Sequence, residues 1–178
     1  GMESMSNAPY LLTGSRQGFG YGHQKVSDSI IVDGLWDVYN DFHMGTAAEL
    51  IAQEYGIDRA AQDAYATRSY HRALAAQRSG RWDAEIVPVT INSDSPPIIA
   101  DEEPTRVNFE KMASLKPVFS TNGTITAANA SSLNDGAAAC VVMTKSRATE
   151  LGITPLATIL AHGSVAISPS RYLVAPTK

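Results

Sequence analysis

Apolar positions recur along this chain in two rhythms, one helical and one short and strand-like. From Thr46 to Tyr55, Ala48, Ile51, Ala52 and Tyr55 fall at helical spacing, and the run stops at Gly56. Thr46 with Glu49 three residues later forms a capping box, so the helix is expected to begin there. A second start follows at Asp58, and the pattern predicts a helix over Arg59 to Ser79 that ends at Gly80. Ala61, Ala64, Tyr65, Arg68, Arg72, Ala75 and Ala76 share one 3.6-residue face. Its small residues predict close packing against the first helix. Asn108 is placed to cap a short helix through Leu115, with Phe109 and Met112 on one side and Pro117 as its stop. Ser146 is placed to cap another through Leu151, stopped by Gly152.

The strand-like runs are shorter. Glu85 to Ile91 reads as a strand that Pro88 demotes to an edge. Leu156 to Ala161 reads as an apolar strand after Pro155, and Cys140 to Met143 as a buried one. Ile30 to Val32 predicts a strand or a short buried helix before a turn at Asp33-Gly34. Thr13 to Gly22, Asn92 to Asp101 and Val165 to Lys178 read as loops.

One stretch organises the others: Phe119 to Thr144, FSTNGTITAANASSLNDGAAACVVMT. Asn122-Gly123 is the pair best suited to positive φ. Thr124 to Thr126 reads as extended, and Ala127 to Asp135 holds only small or polar residues apart from Leu133. Residues this small let backbone approach backbone, or a ligand. Ser131 and Ser132 are each able to cap a short helix that follows. The expectation is a tight loop with open carbonyls and hydroxyls, leading through a crowded helix into a core strand. Composition alone favours the plainer alternative, a close-packed crossover without a ligand.

Composition narrows the class. Hydrophobic residues make up 44% and charged residues 18% of 178, a globular balance for one ordinary domain or two small ones. Net charge is -4 with no basic tract, so nucleic acid is not an expected partner. No apolar run approaches the roughly 20 residues that span a bilayer. A single cysteine, Cys140, excludes a disulfide framework and a multi-cysteine metal site. Between Ala139 and Val141 it reads as an inert core thiol. His23, His43, His71 and His162 show no metal-ligand spacing. The order of elements predicts an α/β architecture with an inserted, mainly helical subdomain.

Seven segments then carry a resemblance: GMESMSNAPY, DGLWDVY, HMGTAAE, RAAQDAYA, EIVPV, NGTITAANASSLNDGAAA and GITPLA, in that order. On them the chain resembles the thiolases, of the short-chain acetoacetyl-CoA thiolase (acetyl-CoA C-acetyltransferase) type, over nearly its whole length. The resemblance implies a layered α/β thiolase-like fold, here partial, built of two similar halves with a loop domain inserted in the first. It places residues 1–9 at the end of the N-terminal half and 10–117 in the loop domain over the CoA site. Residues 118–155 then complete that half, and 156–178 begin the C-terminal half. It makes Gly1-Met2 an internal position of a longer chain.

Family chemistry is Claisen condensation and its reverse, thiolysis, with a cysteine thiolate as acyl carrier, a histidine, a second cysteine for proton transfer and an oxyanion hole. The resemblance assigns the nucleophilic cysteine to sequence before GMESMS. It assigns the N-E-A-F asparagine, the G-H-P histidine and the C-x-G-G-G cysteine to sequence after Lys178. Cys140 and His162 match none of them. The 178 residues alone are therefore expected to lack thiolase activity and to supply recognition of coenzyme A as substrate. The resemblance puts Ser131 on the pantetheine amide, with Ala127 and Leu133 lining the same tunnel and Met112 and Phe119 packed on the cofactor. It puts His43 and Met44 near the acyl group, Leu35 on the same wall, and Arg106 on a CoA phosphate. It also implies a potassium ion held by the carbonyls of Ala127, Ala128 and Ala130 and by Tyr70; the alternative is a turn without an ion. Without the resemblance, Met44, Met112 and Phe119 read as core residues, Ser131 as a helix cap, and His43 as a hydrogen-bonding group at a helix start.

The partners implied are acyl-CoA, the remainder of a thiolase chain and further copies in a homodimer or homotetramer, in a cytoplasmic or mitochondrial setting, with no membrane partner. Two other readings stay open: a non-catalytic acyl-CoA-binding or assembly module, and a longer-chain 3-ketoacyl-CoA thiolase.

Overall fold

A computed structural model describes residues 1–178. The chain divides into two compact units, residues 1–47 with 132–178, and residues 48–131. The division falls inside helix α1 (Met44–Glu54).

The first unit is built on six short strands: β1 (Met2–Ser4), β2 (Tyr10–Leu12), β3 (Val26–Asp28), β4 (Trp36–Asp37), β5 (Phe42–His43) and β6 (Asp135–Ala137). They form three antiparallel ribbons, β1 with β6, β2 with β3 and β4 with β5. In the first, Glu3 lies opposite Gly136. Asp135 fastens it by accepting from both the backbone N–H and the hydroxyl of Ser6. In the turn between β4 and β5, Asp37 accepts from the N–H groups of Tyr39 (2.9 Å) and Asn40 (3.2 Å) and from Asn40 Nδ2 (2.6 Å). Burial pushes the Asp37 carboxyl up, but those donors outweigh it and hold it below the usual range.

Several elements differ from the expectation. Asp135–Ala137 is a strand, so no helix follows Ser131 or Ser132 for either to cap. Asp33-Gly34 lies inside a π-helical turn, Ile30–Leu35, and Gly34 does not take positive φ. The helix α4 (Lys145–Glu150; α2 and α3 are given below) is capped by Thr144, whose Oγ1 accepts from Arg147 N at 3.2 Å, rather than by Ser146. Cys140 to Met143 and Leu156 to Ala161 form no strand and are exposed, Val141 at 84% and Leu160 at 92%. A strand is made by its neighbour's hydrogen bonds, and no backbone of this chain pairs with either segment. Cys140 is thus an exposed thiol, not a core one. The expected loop at the end of the chain contains a 3-10 helix, Pro169–Thr177, which buries Val174.

The second unit holds the remainder of α1, then α2 (Arg59–Arg78) and α3 (Phe109–Met112). Helix α1 starts at Met44, two residues before Thr46, with His43 Nδ1 accepting from Gly45 N at 2.9 Å. Its buried positions Ala47, Ile51 and Ala52 keep helical spacing. Helix α2 begins as expected, with Asp58 Oδ1 accepting from Ala61 N at 2.8 Å, and ends at Gly80 with φ +67.

The packed side of α2 is not the expected alanine face. Of the expected face, Ala61, Ala64, Tyr65, Arg68, Arg72 and Ala75 are exposed and Ala76 is half-buried, while Arg59, Gln62, Asp63, Ala66, Thr67, Tyr70, Ala73, Leu74 and Gln77 are half-buried. Hydrogen bonds orient this helix: Arg59, Gln62, Asp63 and Tyr70 all bond inward, and small alanines supply little transfer energy to oppose them. Its main partner is the Glu103–Arg106 turn rather than α1.

Glu85 to Ile91 yields only an isolated bridge between Val89 and Ile98, because the N–H groups of Glu85 and Ile86 both turn back to Trp82 O. Helix α3 is capped as expected by Asn108 Oδ1, which accepts from Lys111 N. It ends at Met112, short of Leu115, and the carbonyls of both residues are taken by Arg59.

Candidate functional site

The organising loop, residues 122–131, lies in the second unit and is held from outside itself. Glu49 does not close a capping box. Its carboxylate accepts from Thr124 N (3.0 and 2.9 Å to the two oxygens), Thr124 Oγ1 (2.9 Å) and Ile125 N (2.9 Å). Charge-assisted bonds of this kind are about twice as strong as neutral ones. Gly123 makes room for them. Its φ is not positive, contrary to expectation, but a Cβ there would meet Glu49 Oε1 at 2.3 Å. Gln62 Nε2 adds a bond to Thr124 Oγ1 at 2.8 Å.

Beyond this clamp the chain folds over Thr126, which is 0% exposed. Thr126 O accepts from Asn129 N (3.2 Å) and Ala130 N (2.9 Å). Asn129 returns the bond, since its Oδ1 accepts from Thr126 N at 2.8 Å. Its Nδ2 donates to Thr124 O at 3.1 Å and to Asp63 Oδ1 at 2.9 Å. Asp63 Oδ2 accepts from Arg59 Nε at 2.7 Å. Arg59 then donates through Nη1 to Leu115 O (3.0 Å) and through Nη2 to Met112 O (2.6 Å). One continuous run of bonds thus joins the small-residue loop, the face of α2 and the end of α3. Met112 itself is 3% exposed and receives a weak contact from Thr67 Oγ1 at its sulfur, 3.6 Å.

Further along α2, Tyr70 donates its hydroxyl proton to Glu103 Oε1 at 2.6 Å. Burial, then the bond and the charge of Glu103, push the phenol up to about 12. His71 stacks on Phe109 with ring centroids 4.4 Å apart.

The site residues anticipated from sequence divide between the units. Arg106, Met112, Phe119, Ala127 and Ser131 are in the second, and Leu35, His43, Met44 and Leu133 in the first. Within the second, Met112 is linked by the bonds above to the loop that carries Ala127 and Ser131, both exposed. Arg106 is exposed and paired with Glu102 one helical turn away. Such a surface pair is worth about 0–1 kcal/mol, so Glu102 holds the guanidinium only weakly. In the first unit, Leu35 ends the π-helical turn, His43 pairs with Trp36 across the β4–β5 ribbon, Met44 opens α1, and Leu133 is exposed beside β6.

A monovalent cation needs neutral oxygen donors. Tyr70 stays protonated, donating its hydroxyl hydrogen to Glu103, and its oxygen keeps lone pairs; the turn closes on Thr126 O rather than on the carbonyls of Ala127, Ala128 or Ala130. The donor chemistry fits such an ion.

Sequence reasoning did not identify Arg59, Asp63, Asn129 or the true partner of Glu49. The i,i+4 spacing of Arg59 and Asp63 was the one visible signal.

The profile described as Thiolase, N-terminal domain, matches residues 1–146. The chain is 52% identical over 180 residues to an acetyl-CoA acetyltransferase of Cupriavidus necator, covering 99% of this chain and 46% of that protein. It is 46% identical over 180 residues to a probable acetyl-CoA acyltransferase of Staphylococcus aureus, with the same coverage of each, 99% and 46%. The chain thus spans about half the length of the curated relatives it matches. The solved structure of an acetyl-CoA acetyltransferase from Syntrophomonas wolfei superposes with a TM-score of 0.75 at 43% identity, over 87% of this chain and 39% of that one.

Proposed function

The chain belongs to the thiolase family, and on that premise we propose that it supplies the coenzyme A-recognising part of an acetyl-CoA C-acetyltransferase. Its α/β elements are those of a partial thiolase-like fold. The reaction proposed is transfer of acetyl between acetyl-CoA molecules, condensation to acetoacetyl-CoA and the reverse thiolysis. His43-Met44-Gly45 favours the short-chain substrate.

The observation that carries this reading is the small-residue loop. Its fastenings come from Glu49 and Asp63, which lie outside it, and Ala127 and Ser131 are left exposed. Pantetheine is a thin amphipathic arm that needs a narrow slot with a few placed polar groups. Within the second unit, Ser131 bonds the arm's amide, Ala127 lines it, and Met112 and Phe119 pack against it. Arg106 exchanges Glu102 for a CoA phosphate. Tyr70 and the carbonyls of Ala127, Ala128 and Ala130 are the residues that would hold a potassium ion, whose charge would be met by neutral oxygens.

No step of the carbon–carbon chemistry is assigned to these residues. Cys140 is a free, exposed thiol, and the 178-residue chain is proposed to bind without turning over. The proposed extents are 1–9 and 118–155 for the N-terminal half, 10–117 for the loop domain and 156–178 for the start of the C-terminal half. The working assembly is a homodimer or homotetramer.

The test is a calorimetric titration of the chain with CoA. Ser131→Ala is expected to weaken binding about fivefold, one neutral hydrogen bond of about 1 kcal/mol. Absence of CoA binding by the unaltered chain would remove the reading.

A further inference from the structure

Resting on that coenzyme A reading, we propose that Asn129, held by Asp63 of α2, is a positioning residue for the thioester arm. It sets Ala127 and Ser131 in register with Met112, which otherwise belong to segments far apart in the chain.

The geometry carries this without any ligand. Asn129 makes three side-chain bonds in three directions. Oδ1 takes Thr126 N, one Nδ2 bond returns to Thr124 O, and the other crosses to Asp63 Oδ1 at 2.9 Å. The first two fix the curvature of the turn. The third fixes its position relative to α2. Asp63 is itself committed, because its second oxygen holds Arg59, and Arg59 spends its two terminal nitrogens on the carbonyls of Met112 and Leu115. Moving the turn by a bond length therefore breaks either the Asn129–Asp63 bond or the ion pair behind it. An asparagine is required at the centre, since Oδ1 must accept while Nδ2 donates twice. Aspartate of the same shape offers no donor and would face the Asp63 carboxylate. Glu49 holds the other end of the loop, at Thr124 and Ile125; at the Ala127–Ser131 end the N–H groups of Ala128 and Ala130 close locally on Thr126, and the Asn129 side chain carries the bond out to α2.

The experiment titrates CoA into the unaltered chain, N129D, and the reversed pair D63N with N129D. Amide hydrogen exchange is read in α2 and in residues 124–131. N129D is expected to bind CoA about tenfold more weakly, about 1.4 kcal/mol, with faster exchange in 124–131 and unchanged exchange in α2. In the reversed pair the amide at 63 donates to the carboxylate at 129, so the part of the affinity carried by the tie to α2 is expected to return, while the bond to Thr124 O stays lost. A role in general folding would not be rescued by exchanging donor for acceptor. If N129D does not fold, N129A is measured with the same expectations. CoA binding by N129D within twofold of the unaltered chain overturns the inference, as does a reversed pair that binds no more tightly than N129D. If the unaltered chain binds no CoA, the underlying recognition reading falls, an outcome distinct from either.

Discussion

A Cβ on Gly123 would lie 2.3 Å from Glu49 Oε1 and 3.1 Å from Ser120 O. The glycine serves proximity, letting a carboxylate sit against the turn and receive the N–H groups of Thr124 and Ile125. Gly123→Ala is expected to push the carboxylate off and leave those half-buried donors unpaired. The cost is about 1–3 kcal/mol, read as a lower urea midpoint. With Glu49→Ala in the same chain the obstruction is gone, so the double variant is expected to cost less than the two single variants added together. Strict additivity would show that the glycine has some other role.

Acid should loosen the β1–β6 ribbon. The hydroxyl of Ser6, then its backbone N–H, hold the Asp135 carboxyl below its usual range despite some burial. A depressed folded pKa gives stability that is present above the unfolded value of about 3.9 and is lost as pH falls through the folded one. Ser6→Ala removes the largest cause, so the Asp135 titration and the loss of the ribbon are expected to move to higher pH. Carboxyl chemical shifts of Asp135 measure the first and amide exchange in Met2–Ser4 the second.

Tyr70 should ionise late. Its phenol, at about 12, favours the neutral form in the fold. That contribution is full below the unfolded value of about 10 and fades as pH rises through the folded one. Difference absorbance against Tyr70→Phe isolates this tyrosine from the others. Glu103→Gln is expected to lower the value only part of the way, because burial, the largest cause, remains.

The chain by itself should self-associate. Val141 and Leu160 are almost fully open to solvent, in segments whose backbone pairs with nothing. Unpaired apolar extended segments recruit other chains. Light scattering is expected to show growth with concentration, and Val141→Lys with Leu160→Lys to suppress it. A monomer at all concentrations would contradict this.

Local chemistry made part of this protein readable. Asp58 before Arg59, Asn108 before Phe109 and the glycines after α2 and α4 are caps and stops whose partners lie within a few residues, and they form as anticipated. The Thr46–Glu49 box satisfied the same local rule and still failed, because Thr124 and Ile125 offered the Glu49 carboxylate more donors. The packed side of α2 was misread for a related reason. Alanines marked the close-packing face in the sequence, but the fold turned inward the residues that had distant acceptors and donors to meet.

The sequence by itself determined the family, the two main helices and the small-residue loop, since these depend on residue type and on spacing of a few positions. Only the tertiary structure decided which way α2 faces, whether 140–143 and 156–161 become strands, and what grips the loop. Those outcomes depend on a partner tens of residues away, and the energy of a strand ladder or a shared carboxylate exists only once that partner is in place.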